Sequence, residues 1–115
     1  MTFFSEISLP EGVSLPPGML FDAFQKEVFA QIVKDFQLDE KESHTPFNVW
    51  MAHTIRVNPD RIHASFYRLD LGEKTVSNAL KIEDPSIRST MLAEQSIQRA
   101  TLKVLTRFNY ALKNR

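Results

Sequence analysis

The side chains best suited to chemistry in this sequence are three histidines, His44, His53 and His63. Two histidines act as helix-borne metal ligands when they sit three or four residues apart, on one face of one turn. No two of these do, so the sequence predicts no metal site. His63 follows Asp60 by three residues, a common surface pairing on a helix. The chain has no cysteine, which removes disulfides, thiolate nucleophiles and Cys-ligated zinc together and fits a reducing, cytoplasmic compartment. No serine lies in a Gly-x-Ser-x-Gly elbow. The only glycines, Gly12, Gly18 and Gly72, are too few and too far apart for a phosphate-cradling loop. The acid pairs Asp39-Glu40 and Glu83-Asp84 fall in charged connectors and read as solvated. The expectation is a protein with no catalytic residues and no cofactor, not an enzyme. A polar pocket around His53 or His63 is the feature an enzyme would require.

Charge is the second resource. The chain carries 14 basic and 14 acidic residues, net zero. Residues 1–60 hold nine acids and four bases, a net −5, while residues 61–115 hold five acids and ten bases, a net +5. Within the basic half, Arg99, Lys103 and Arg107 recur every four residues, placing three cations on one helical face. Two readings follow. The stripe grips an anionic partner, or it pairs with the acidic half, within the chain or across two copies.

The elements that must position these groups follow from the apolar pattern. With 115 residues, 43% hydrophobic and nine Phe, the chain is long enough for one core without staples. No apolar run reaches the length of a membrane span, and no basic segment precedes an apolar one as in a signal peptide. Residues 1–18 read as an extended N-terminal arm. Pro10, Pro16 and Pro17 remove donors, Gly12 and Gly18 disfavour helix, and Phe3, Phe4, Ile7 and Leu9 make the arm apolar. Such an arm packs on its own domain or on a neighbour.

Residues 19–115 read as a single helical domain. Leu20, Phe24, Val28, Ile32 and Phe36 recur at helical spacing over 19–37. Thr45-Pro46, Asn58-Pro59 and Asp84-Pro85 each place a capping residue before a proline, a signature of helix starts. They predict helices over 46–56, 59–69 and, last, 85–112. A short helix over 73–81 follows the turn at Asp70-Leu71-Gly72. The 46–57 segment also fits a strand, with Val49, Met51, His53, Ile55 and Val57 alternating. Ala93, Ile97, Ala100, Val104 and Phe108 form one face of the last helix. Ile87, Met91, Leu102, Leu105 and Leu112 widen it beyond what a surface helix needs. The predicted fold is all-α: a compact bundle of about five helices, with the arm and a long, largely buried C-terminal helix.

Residues 69–80 read Leu-Asp-Leu-Gly-Glu-Lys-Thr-Val-Ser-Asn-Ala-Leu. This run resembles the turn and recognition helix of LacI-type helix-turn-helix repressors, whose helix opens Thr-Val-Ser-x-Ala-Leu. Thr75, Val76, Ser77, Ala79 and Leu80 carry the match. Asp70 stands where that family has its turn glycine, and Gly72 replaces the usual serine. The resemblance implies that Glu73, Lys74, Thr75, Ser77 and Asn78 face the DNA major groove and that Val76, Ala79 and Leu80 pack inward.

Two functions are therefore expected. The leading one is a non-enzymatic protein–protein interaction or self-association module, with a homodimer as its simplest form. Its interface would draw on Phe3, Phe4, Leu102, Leu105 and Leu112, side chains that need burial. The alternative is a helix-turn-helix DNA-binding regulator using residues 59–81.

Overall fold

The structure, a computed structural model, describes residues 12, 14, 15 and 17–113, with side chains described as far as residue 111. Six helices and no strand occur among the described residues: α1 (Phe21–Phe36), α2 (Glu40–Ser43), α3 (Phe47–Val57), α4 (Pro59–Leu69), α5 (Glu73–Leu80) and α6 (Pro85–Lys113). The all-α class is as the periodicity predicts. The single-turn α2 is an addition, held by a capping box between Asp39 and Glu42 that sequence reading took for connector.

Each helix exists because its apolar residues return to one face. On α1, Phe24, Val28, Ile32 and Phe36 are fully buried. On α3, Phe47, Trp50, Met51 and Thr54 are buried while Val49, His53 and Val57 are exposed. That pattern is i, i+3, i+4, i+7, so the strand alternative for 46–57 fails. A strand would have put Val49, Met51 and His53 on one side.

Helix ends follow local chemistry. Asn58 Oδ1 accepts from the Arg61 amide at 3.3 Å, and Asp84 Oδ1 accepts from the Ser86 and Ile87 amides at 2.9 and 3.1 Å. These are the predicted caps. Thr45 does not act as one: α3 begins after Pro46, with no side-chain cap. At the other ends, α1 and α4 stop in the same way. Gln37 and Asp70 take left-handed backbone with φ of 52° and 60°. The next amides, of Leu38 and Leu71, reach back to the carbonyls of Val33 and Phe66 at 3.0 Å. This is the Schellman arrangement, and its customary apolar residue is present in both cases, as Leu38 and Leu71 are buried.

The core centres on Phe36. Its ring meets Phe47, Trp50 and Phe66 edge-on, at centroid distances of 5.2, 5.7 and 6.0 Å, so α1, α3 and α4 lock together through quadrupole-favoured contacts. α6 packs on α1, α3, α4 and α5. Its buried face begins with small residues, Ser89, Ala93, Ser96 and Ala100. The buried hydroxyls satisfy themselves inside the helix: Ser96 donates to the Leu92 carbonyl at 2.7 Å and Thr101 to that of Ile97 at 2.8 Å.

A polar clamp closes the α1–α4 end. The Glu42 carboxylate accepts two hydrogen bonds from Arg61, at 2.8 and 2.9 Å, and one from the Trp50 indole at 2.9 Å. Arg61 also donates to the Gln37 carbonyl at 3.0 Å and lies over the Trp50 ring at 5.3 Å. The Arg61 hydrogen bonds hold the Glu42 carboxyl down at about 2, against an ordinary 4.5; partial burial opposes the shift, and the Trp50 indole adds to it.

Candidate functional site

The turn between α4 and α5 opens a groove of about 710 Å³. Backbone geometry makes it. After the left-handed Asp70, Gly72 takes φ 91° and ψ 133°, a region L side chains rarely adopt. The chain therefore leaves α4 at an angle and lays α5 on α6, where Val76 and Ala79 are buried. The described residues leave the outer side of α4 at Tyr67 uncovered. Phe66 and Val76, 4% and 9% exposed, form the apolar floor. Tyr67, 88% exposed, stands on the α4 rim beside His63, and Leu80, 37% exposed, stands on the α5 rim beside Ser77. His63 meets the edge of Phe66 at a centroid distance of 6.4 Å.

His63 and Ser77 both line this groove, yet neither side chain hydrogen-bonds another side chain among the described residues. A serine nucleophile needs a base within hydrogen-bonding reach, and no such pair is assembled here. No group of three His, Asp or Glu side chains placed to hold a metal occurs among the described residues. What the groove offers is an apolar trough with polar rim groups pointing to solvent, the arrangement of a binding surface. The sequence singles out His63 only as a place where an enzyme would need a pocket, and Phe66 and Tyr67 only as part of the 59–81 span. The available signal was Tyr67, an aromatic residue on the polar side of its own helix.

The basic stripe has partners in the chain. Arg99 pairs with Asp70 at 3.1 Å, Lys103 with Asp35 at 3.2 Å and Arg107 with Glu27 at 3.4 Å. Asp35 is nearly buried and also accepts from Gln31 at 2.7 Å, and Gln31 in turn accepts from Arg107 at 3.1 Å. Arg68 extends the seam, donating to the Asp35 carbonyl at 2.7 Å. Through Lys103–Asp35 and Arg107–Glu27 the acidic first half and the basic second half meet along α1 and α6 within one chain, whereas Arg99–Asp70 joins two residues of the second half. The stripe is a seam of the fold, so the cations expected to grip a foreign anion are already engaged.

The helix-turn-helix residues are arranged largely as the resemblance implies. Glu73, Lys74, Ser77 and Asn78 are exposed, Thr75 is half-buried, and Val76 and Ala79 face inward. Leu80 departs from it, standing partly exposed on the groove rim rather than packed inward.

Of the expected interface residues, Leu102 is 41% exposed and Leu105 only 4%. Leu105 belongs to the core and is not free for a partner, because α6 is covered on that side by the helices it packs against. Phe3 and Phe4 lie outside the described residues, as does the side chain of Leu112. Ile87 and Met91, at 57% and 36% exposure, lie on the same side of α6 as Leu102, four and eleven residues being near-whole numbers of turns. Among the described residues no helix is long and apolar enough to cross a membrane. The chain matches no protein-family model, and comparison with curated proteins and with solved structures finds no match either.

Proposed function

We propose that this chain is a non-enzymatic protein-interaction module whose docking surface is the α4–α5 groove. The observation that carries the reading is the exposed Tyr67 beside a floor of Phe66 and Val76. Tyrosine is among the residues that anchor interfaces, since its ring buries much apolar area while its hydroxyl stays satisfied at the rim. Polar rim groups on His63, Ser77 and Lys81 surround that floor, as polar residues surround the apolar centre of an interface. The partner is a protein segment presenting apolar side chains. Self-association to a homodimer belongs to the same proposal, supported by the exposed strip of Ile87, Met91 and Leu102. The setting proposed is cytoplasmic, in keeping with the cysteine-free sequence.

Selection of peptides from a random displayed library on the immobilised full chain tests the groove. Selected peptides should carry bulky apolar anchors and bind Tyr67→Ala at least about tenfold more weakly. Peptides indifferent to that substitution, or none at all, would end the reading. Sedimentation at micromolar concentration tests the dimer, which Leu102→Ser should weaken.

A second reading, a helix-turn-helix DNA-binding regulator using residues 59–81, draws support from the exposure of Lys74, Ser77 and Asn78 on α5. Its test is a gel shift on duplex DNA at about 50 mM salt, where phosphate contacts are strong. Binding should weaken in Lys74→Ala and Asn78→Ala, and the absence of any shift removes the idea.

A further inference from the structure

We propose that the α4–α5 groove docks a second copy of this chain, set on a two-fold axis at Ser77 so that Glu73 of each copy pairs with Lys81 of the other. The inference rests on the groove being a docking surface, and it names the partner that surface takes.

The spacing of charge along α5 carries it. Glu73, Ser77 and Lys81 all line the groove and stand four residues apart. Lys81, the residue that ends α5, still has right-handed helical backbone. The three therefore share one stripe, with a rise of about 6 Å from each to the next. Acid and base thus stand at equal distances on either side of Ser77. Both are exposed, and neither forms an ion pair among the described residues. The other carboxylate at the groove, Asp70, is engaged by Arg99. The uncommitted charge of the groove is zero in sum and opposite at its two ends.

A surface of that kind complements itself. In a two-fold dimer, residue i of one copy meets j of the other, and j meets i. With α5 antiparallel to its counterpart and Ser77 at the axis, Glu73 faces the partner's Lys81 and Lys81 faces the partner's Glu73. A foreign segment charged with one sign would instead be repelled at one end of the groove. Serine suits the axis, because the side chains at the contact set how closely two helices approach.

The ion pairs set orientation, since exposed pairs add little affinity. Affinity comes from apolar burial. Facing grooves bring together two floors of Phe66 and Val76 and cover two copies each of the exposed Tyr67 and Leu80.

The test is sedimentation of the full chain at micromolar concentration, combined with charge reversal. Glu73→Lys alone, or Lys81→Glu alone, sets like charges against each other at both ends of the interface, and each should weaken the dimer about tenfold or more. Mixed in equal amounts, the two variants should associate again, because opposite charges then meet at both ends. That rescue also shows that both variants are folded. A monomeric parent overturns the proposal. A dimer that ignores both reversals overturns it too, as does one that only Leu102→Ser dissolves, since the second copy then docks through α6. Weakened variants that stay apart on mixing are equally fatal. The groove reading fails separately. If peptides selected on Glu73→Lys ignore an added Tyr67→Ala, the groove is not the docking surface. If they respond to it while the parent is monomeric, the groove stands and only the second copy is wrong.

Discussion

The Asp35 carboxylate lies 3.2 Å from the Lys103 ammonium, across 68 residues of sequence, and Asp35 is 5% exposed. This contact ties α1 to α6 at the middle of the seam between the acidic and basic halves. A nearly buried carboxylate without its cation retains its desolvation cost and loses its compensation. Lys103→Met should therefore destabilise the fold by about 2–3 kcal/mol in urea unfolding. Because the two groups share one interaction, the Asp35→Asn/Lys103→Met pair should cost clearly less than the sum of the single changes. Additive losses would show that the seam contributes little.

Glu42 predicts an acid-sensitive clamp. Its folded pKa of about 2 lies below the ordinary 4.5. The folded state binds this proton more weakly than the unfolded chain, so the contribution is complete above about 4.5 and is lost as pH falls toward 2. It is on the order of 2–3 kcal/mol at neutral pH, less where solvent screens the pair. Glu42→Gln should lower the urea midpoint at pH 7, and the gap from the parent should shrink as pH falls through that window. A gap independent of pH would rule the clamp out.

Backbone strain predicts two opposite signs. Gln37 holds left-handed backbone that glycine adopts freely. Gln37→Gly should therefore raise stability by about 0.5–1 kcal/mol, the relieved strain being partly offset by the entropy of the unfolded chain. Gly72→Ala meets open space, with nothing within 4 Å of the added carbon, yet its φ of 91° strains any L residue. A loss of about 1–3 kcal/mol is expected, read from thermal or urea unfolding.

The groove separates stability from binding in neighbouring residues. Phe66→Ala empties a core position that also supports Phe36 and should cost about 3–5 kcal/mol. Tyr67, 88% exposed, should lose less than about 0.5 kcal/mol on truncation to alanine. A large stability loss in Tyr67→Ala would mean that the ring is packed on something within the chain.

The elements of this protein were legible because their causes are local. Phe24, Val28, Ile32 and Phe36 name their helix by spacing alone, and Asn58 and Asp84 cap helices through amides two or three residues away. The α4 and α6 starts coincide with the prolines that announce them. Thr45-Pro46 shows the limit, for the same dipeptide pattern leaves the threonine uninvolved. The α2 turn was missed because its capping box is only one turn long and lacks an apolar face.

What only the tertiary structure decided is which faces find partners. Arg99, Lys103 and Arg107 share a helical side by sequence, but Asp70, Asp35 and Glu27 come to them only when α1 and the α4 end lie against α6. Leu102 and Leu105 are equivalent in type, and the neighbouring helices cover one and leave the other. Likewise the groove depends on no residue pattern. It exists because the backbone at Asp70 and Gly72 sends α5 onto α6 instead of α4, leaving Phe66 and Tyr67 beside open space. Spacing sets which side chains share a face, and long-range packing sets whether that face meets protein or water.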